Sequence, residues 1–420
     1  MDGRLLEIGS PSMPPAGMVA LLERSCMNRL VSVAIPTRNR HQYALAAVHA
    51  IFAAAPQIEV CISDNSDTDE LREHLSDSIG AGSVRYRHSP EPMSFAENFE
   101  AAIDLCSGQY VSLIGDDDVI GPRLLEIAQW ASDVGIDALT MPQEGRVLHY
   151  YWPGSSSPRW RGRLSAALFL SDFTGRTRRV SREKALLDAF LHIGSGPRML
   201  PRIYLGLVSR ALIERVRTRW GRLFGSLSPD MYSGVLLALE AERHFELDYP
   251  FLLPGACPKS NSITHVTRPT ESLASQAHLK HFAEVEWDAR IPGFYAAETV
   301  WAQTLVDVAR LTGRSVPDRG FSYLYAACLL KAPRRLPWVR AAFKANVSDA
   351  GRVANIASLA GAVVSRARDR AAAVARAAAR MRPGGARFEY RNIEDTSAAL
   401  ACLQRHLEQQ QTFPQITEIA

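Results

Sequence analysis

From Val31 onward the chain alternates between short β-branched apolar runs and stretches whose apolar residues recur at helical spacing. The run VSVAIP ends at Pro36, and HQYALAAVHAIFAAAP then reads as an apolar helix that stops before Pro56. IEVCISD predicts a second strand, TDELREHLSDSIG a polar helix capped by Thr68 and stopped by glycine, and SVRYRHS a third strand. In SFAENFEAAIDLCSG, Ser94 precedes Glu97 by three residues, a capping-box spacing that predicts a helix start. Phe95, Phe99, Ala102, Ile103 and Cys106 would form its apolar face. YVSLIGD predicts the fourth strand, and GPRLLEIAQWASDVG a helix with Pro122 in its first turn.

Strands alternating with helices at this spacing predict an α/β protein with a mostly parallel sheet and helices on both faces. Ligands of such sheets collect at the carboxyl ends of the strands. Three of those ends are polar here: PTRNR after the first strand, SDNSD after the second and DDD after the fourth. Past Ala138 the pattern loosens, with a Gly/Ser/Pro-rich and basic insertion at about 150–201. Strand and helix patterns resume and continue to His265. From about Val266 the chain reads as mainly helical, ending in an Ala/Arg-rich helix from Val353 to Met381 and a polar tail. The organisation expected is an N-terminal extension over 1–28, an α/β domain over 29–265 and a helical region over 266–420.

Composition narrows the function classes. With 47% hydrophobic residues in 420 the chain can bury a large core, and a net charge of +4 gives no global field for nucleic acid. Six cysteines without C-x-x-C spacing suit reduced, packed thiols and a cytoplasmic setting. Prolines and acids interrupt the first thirty residues, which therefore lack a signal-peptide core. No apolar window reaches the about 18 residues a bilayer span requires.

The triplet Asp116, Asp117 and Asp118 follows a buried-looking strand, where adjacent like charges demand either water or a cation. Two carboxylates one residue apart can address a single divalent ion whose other positions hold phosphate oxygens. A solvated acidic turn that also caps the next helix is the plainer alternative. Taken in order, VSVAIPTRNR, VCISDNSD, MSFAENFEAAIDLCSGQYVSLIGDDDVIGP and LFGSLSPDMYSG resemble the family two glycosyltransferases of the GT-A fold, over roughly Arg29 to His265.

The resemblance implies a metal-dependent inverting transfer of sugar from a nucleotide-diphosphate donor, UDP-sugars favoured, to a glycan or lipid-linked hydroxyl in surface polysaccharide or glycolipid synthesis. It implies that Pro36, Thr37 and Arg38 border the nucleobase and ribose, and that Asp64 bonds the base or ribose. It places Asn98 near nucleotide and sugar. It assigns Asp116 and Asp117 to ribose or waters, and Asp116 and above all Asp118 to Mg2+ or Mn2+. Each has a plain alternative: an Asx turn for Asp64, a satisfied helix amide for Asn98.

Inversion needs a carboxylate opposite the leaving phosphate, and Asp230 in SPDMYSG matches that base, unless it only caps the following helix. Many members carry Glu-Asp where this chain has Pro229-Asp230. Lys259 could meet the pyrophosphate, and His265 matches a third metal ligand of some GT-A enzymes; a surface lysine and an exposed histidine are the alternatives. Arg198 and Arg202 could meet an anionic acceptor, or belong to an ordinary basic loop. The Arg-rich C-terminal helix could lie on an anionic membrane at the cytoplasmic face, or serve as an exposed strut. A sugar-phosphate nucleotidyltransferase shares the sheet, but AIPTRNRHQY lacks the glycine-rich loop of that class. A non-catalytic nucleotide-sugar-binding scaffold is the remaining rival.

Overall fold

The structure is a computed structural model that describes residues 29–143, 146–155, 164–260, 286–346, 352–380 and 387–416. The expected extension over 1–28 and His265 lie outside the described residues. In chain order the elements of the first part are β1 (Val31–Thr37), α1 (His41–Ala54), β2 (Glu59–Asp64), α2 (Glu70–His74), α3 (Ser76–Gly80), β3 (Val84–His88), α4 (Phe95–Asp104), β4 (Tyr110–Leu113), β5 (Val119–Ile120), α5 (Leu124–Asp133) and β6 (Ala138–Thr140). There follow β7 (Leu148–Tyr151), β8 (Ala167–Ser171), β9 (Thr177–Arg179), α6 (Arg182–Leu191), β10 (Gly206–Ser209), α7 (Arg210–Trp220), α8 (Pro229–Glu240), β11 (His244–Leu247), β12 (Leu252–Leu253) and β13 (Gly255–Ala256). The last part holds α9 (Ala297–Leu311), α10 (Asp318–Lys331), α11 (Leu336–Asn346), α12 (Arg352–Arg380), β14 (Arg387–Arg391) and α13 (Thr396–Gln409).

The main sheet runs β3-β2-β1-β4-β10-β6-β11-β9. β3, β2, β1 and β4 are parallel, β10 is antiparallel to β4 and β6, and β11 is parallel to β6. The expected α/β class with a mostly parallel sheet and a helical C-terminal region is therefore what forms. β1 is buried along its whole length and sits between β2 and β4, so the order reverses beside it. An open sheet has its crevice at such a reversal, because the crossovers leave towards opposite faces. Pairing of β1 with β4 ends at Ala34 and Leu113, while β1 stays paired with β2 as far as Thr37 and Asp64. Pro36 falls in that interval and has no N–H to extend the ladder towards β4. β4 leaves the sheet there, and the acidic triplet lies on the chain that departs.

Local sequence explains most elements. At α4 the Ser94 hydroxyl accepts from Glu97 N and the Glu97 carboxylate accepts from Ser94 N, the reciprocal cap expected. Three expectations need correction. The single helix over 68–80 is two short ones, because Leu75 turns inward to bury itself between them, and Asp69 rather than Thr68 precedes the first. Pro122 lies outside α5, which starts after Arg123 in the left-handed region. Phe95 is exposed, since the first turn of α4 projects past the sheet.

The C-terminal part is not a single helical block. α9 packs on α8, and α10 carries α12. β14, however, pairs with β8 in a second sheet ordered β13-β7-β8-β14, and α13 packs on α1. The insertion at 150–201 supplies β8, β9 and α6, and so joins both sheets to the helices. Leu400, Leu403 and Leu407 of α13 enter the same core as Val33, Val48 and Ile51. No helix among the described residues is long and apolar enough to cross a membrane.

Leu403 is fully buried, so Leu403→Ala should cost about 2–5 kcal/mol through lost burial and the cavity left. Urea unfolding measures it; an unchanged midpoint would mean that α13 is not part of the core.

Candidate functional site

The triplet occupies the turn between β4 and β5. Asp116 and Asp118 are completely enclosed and Asp117 nearly so. Burial on this scale is tolerated only because each carboxylate meets donors. Thr37 Oγ1 donates to Asp116 Oδ2 at 2.7 Å, and Arg40 Nε donates to the same oxygen at 2.9 Å. Arg40 Nη2 lies 2.7 Å from Asp116 Oδ1 and Nη1 3.6 Å from Asp117 Oδ2, so one guanidinium serves two acids. Asp117 Oδ2 also accepts from Cys257 N at 2.9 Å and from the Ser260 hydroxyl. Asp118 has only neutral partners: Gly115 N at 2.7 Å, Gly255 N at 2.6 Å and the Tyr204 hydroxyl at 2.9 Å.

Two glycines are dictated by these contacts. A Cβ on Gly255 would come 1.8 Å from Asp117 O, and one on Gly115 would crowd Asp118 Oδ2 and the Tyr204 hydroxyl at 3.0 and 3.1 Å. Trp152 Nε1 holds the same Asp117 carbonyl at 2.9 Å. The electrostatic consequence is uneven. Burial pushes Asp116 up to about 7, with Arg40 pulling it back, and pushes Asp118 up to about 8, helped by the charge of Asp117. Three acids and one guanidinium leave a deficit of positive charge centred on Asp118.

Asp230 stands in the first turn of α8, directly after Pro229. Ser228 precedes the helix and makes no side-chain cap. Burial pushes Asp230 up to about 6, and the Arg202 guanidinium opposes the rise. Arg202 is itself buried and drawn down to about 10, and it donates to Met141 O at 2.7 Å. Tyr204 is hydrogen-bonded to Asp118. Burial raises its phenol well above the ordinary value, and the charges of Asp118, Asp117 and Asp230 add to that rise. The ring of Phe99 stacks parallel to it at 6.2 Å.

The other expected site residues divide into two sets. Asn98, nearly buried, donates through Nδ2 to Thr37 O at 3.2 Å, while its Oδ1 has no hydrogen-bond partner. Asn98, Thr37 and Asp116 thus form one chain of contacts at the end of β1. Asp64 closes β2 and is enclosed; its oxygens accept from Ser66 N at 2.9 Å, an Asx turn, and from the Tyr86 hydroxyl at 2.8 Å. Arg38 and Lys259 are exposed, Lys259 beside the Ser260 that holds Asp117. Arg198 is paired with Asp188 rather than directed at the triplet.

Arg40, Tyr204 and the backbone amides of Gly255 and Cys257 are site components that the sequence pattern does not announce. A signal existed for Arg40. Asn39 adopts a left-handed φ of 55°, which Asn tolerates better than most residues, and this turn swings the next side chain back over the strand end.

Among the described residues no group of three or more His, Cys, Asp or Glu side chains forms a ready metal cage. Magnesium does not need one, since it takes one or two carboxylates and fills its sphere with phosphate oxygens and water. Asp118 Oδ1 accepts a single hydrogen bond and Asp116 Oδ1 none in hydrogen-bonding geometry, so both keep lone pairs. The donor set and the charge deficit fit a divalent ion at Asp118.

The chain resembles known proteins over part of its length. Residues 32–174 match the family model for Glycosyl transferase family 2. The chain is 31% identical over 113 residues, 26% of its length, to the abequosyltransferase RfbV of Salmonella typhimurium, and spans 34% of that protein. It is 26% identical over 165 residues, 36% of its length, to a chondroitin synthase of Escherichia coli, and spans 23% of it. The chain thus covers about a third and about a quarter of these two relatives. Among solved structures, TarS 1-349 of S. aureus in complex with UDP-GlcNAc is similar over 81% of this chain and 92% of that one, at 15% identity and a TM-score of 0.45. Over residues 32–174 the sequence thus resembles the family 2 glycosyltransferases.

Removing one partner of a buried ion pair strands the other charge, at a typical cost of about 3–5 kcal/mol. Arg40→Met should therefore lower stability by that amount at neutral pH, and adding Asp116→Asn to it should restore most of the loss. A chemical-denaturation cycle on the four proteins tests this; additive losses would show that Arg40 does not neutralise Asp116.

Proposed function

We propose that the protein is a metal-dependent inverting glycosyltransferase that moves a sugar from a nucleotide-diphosphate donor, a UDP-sugar by preference, to a hydroxyl of a glycan or lipid-linked acceptor. The observation that carries the reading is the enclosed acidic triplet at the end of β4, whose Asp118 is held by Gly115 N, Gly255 N and the Tyr204 hydroxyl and by no cation. Asp230, in the first turn of α8 with the Arg202 charge acting on it, is the carboxylate assigned to the proton. Polysaccharide or glycolipid synthesis is the setting suggested by the named relatives, and the cytoplasm, on its membrane face, is where activated sugars are met.

In this mechanism Thr37 and Asn98 border the nucleoside, with the free Asn98 Oδ1 available to a hydroxyl or N–H of the donor. Mg2+ or Mn2+ held by Asp118, with Asp116 beside it, would supply positive charge to the diphosphate as it leaves. Tyr204 and the Gly115 and Gly255 amides fix the Asp118 carboxylate before the donor arrives. Asp230 takes the proton of the attacking hydroxyl. Its environment suits a general base, because a carboxylate raised to about 6 binds a proton more strongly than an exposed one yet is still ionised at pH 7.

Transfer from a radiolabelled UDP-sugar panel with Mn2+ tests the proposal. Asp118→Asn should lose transfer by about a hundredfold or more, the scale on which single electrostatic contributors act. Asp230→Asn should retain the thermal stabilisation by UDP and Mn2+ yet transfer nothing. UDP binding without transfer or slow donor hydrolysis by the wild type would favour a scaffold instead.

Because Asp230 must be ionised to work, kcat/KM should fall about tenfold per pH unit below about 6 and level off above it. A profile flat from pH 5 to 8 would place the base elsewhere.

A further inference from the structure

The helical layer that follows the catalytic domain carries an unusual surface. From Leu330 to Arg380 the sequence has eleven Lys and Arg against two Asp and no Glu, in a chain whose net charge is +4. The remainder is therefore net acidic, and the positive charge is concentrated on α11, α12 and the turn before α11. The same stretch exposes large apolar side chains. Leu336 is 56% and Trp338 45% exposed at the start of α11, and Leu330 at the end of α10 is 37% exposed. Val339 and Ala342 form the buried face of α11, which packs on α10. Trp338 meets the edge of Phe294 with one side of its ring and leaves the rest in solvent, so docking α11 does not account for its exposed area or for Leu336. Arg340 and Lys344 are exposed on α11, and Arg368 on α12.

Singly scattered apolar residues need no explanation, but Leu and Trp at one helix end, flanked by cations and free of acids, make a combined feature. Leu and Trp side chains favour the boundary between headgroups and acyl chains, while Lys and Arg favour anionic headgroups. A purely electrostatic partner such as nucleic acid would leave Leu336 and Trp338 without purpose.

We propose that the start of α11, with Leu336 and Trp338 as the inserting side chains and Arg340 and Lys344 as the headgroup contacts, docks the protein on an anionic lipid bilayer. α12 exposes Ile356 and Val364 in its first half, but past Ser365 its sequence is mostly alanine and arginine, so that part adds charge rather than insertion, since alanine buries little area. The apolar contact is thus assigned to α11 and not to the Arg-rich helix that the sequence suggested. The attachment does not rest on the transfer reaction, and its failure would leave the reading of the acidic site intact.

Vesicle co-sedimentation of the full chain tests it, using phosphatidylcholine vesicles with and without phosphatidylglycerol. Binding is expected only with phosphatidylglycerol. Leu336→Ser with Trp338→Ser, and separately Arg340→Glu with Lys344→Glu, should each weaken it by about tenfold or more. All four positions are exposed, and unchanged melting curves and UDP/Mn2+ stabilisation would confirm that both variants are folded. Failure to sediment with anionic vesicles overturns the proposal, as does wild-type sedimentation of the Leu336/Trp338 variant. Competition by a short DNA duplex as strong for that variant as for the wild type would show a general polyanion surface, and would also overturn it.

Discussion

Three consecutive carboxylates enclosed at a strand end are the constraint around which the catalytic half is built. Water cannot solvate them there, so each oxygen must be met by something the fold supplies. The suppliers come from remote parts of the sequence: Thr37 and Arg40 after β1, Tyr204 before β10, and the amides of Gly255 and Cys257 at β13. Satisfying the triplet therefore fixes the relative positions of β1, β4, β10 and the 252–260 segment. The provision is also unequal. Asp116 and Asp117 share a guanidinium, whereas Asp118 receives only neutral donors.

Much of this was legible in the sequence, and the reason is local. β-branched runs, the Ser94–Glu97 cap and glycine or proline stops are short-range signals, and the elements from β1 to α5 follow them with small shifts. The three polar strand ends followed from the parallel topology that those elements imply. What could not be read were partners joined only in three dimensions. Tyr204 is separated from Asp118 by 86 residues and Gly255 by 137, and nothing at Tyr204 distinguishes it in sequence from a core aromatic. Arg38, expected to border the nucleobase and ribose, is exposed, whereas Arg40, after the left-handed Asn39, is the cation that meets the triplet.

The return of the C-terminus to the first core illustrates the same limit. RFEYR has a strand's composition, and the segment after Asp395 has a helix's, but neither states which sheet or helix it meets. β8, inside what looked like a loop-rich insertion, is the strand that receives β14, and α1 receives α13. Such pairings are settled by which apolar face remains uncovered once the local elements have packed. Here α1 would otherwise leave part of its apolar face open, since it is alanine-rich and apolar around much of its circumference.

Asp230 shows how the two halves meet in one chemical property. Its partly buried position in the first turn of α8 would by itself suit an acid at a helix start, and Ser228 makes no side-chain cap there. Burial raises the Asp230 carboxyl above its ordinary range. The opposing charge of Arg202 limits the rise to about 6. Arg202 can do this because it too is buried, anchored to the Met141 carbonyl at the end of β6, so its charge is poorly screened. A glutamate at position 229 would set a second negative charge beside Asp230 and raise it further. Pro229 removes that charge and begins the helix with a residue whose missing N–H is not needed there. The Asp230 carboxyl is thus adjusted by Arg202 rather than by an adjacent acid.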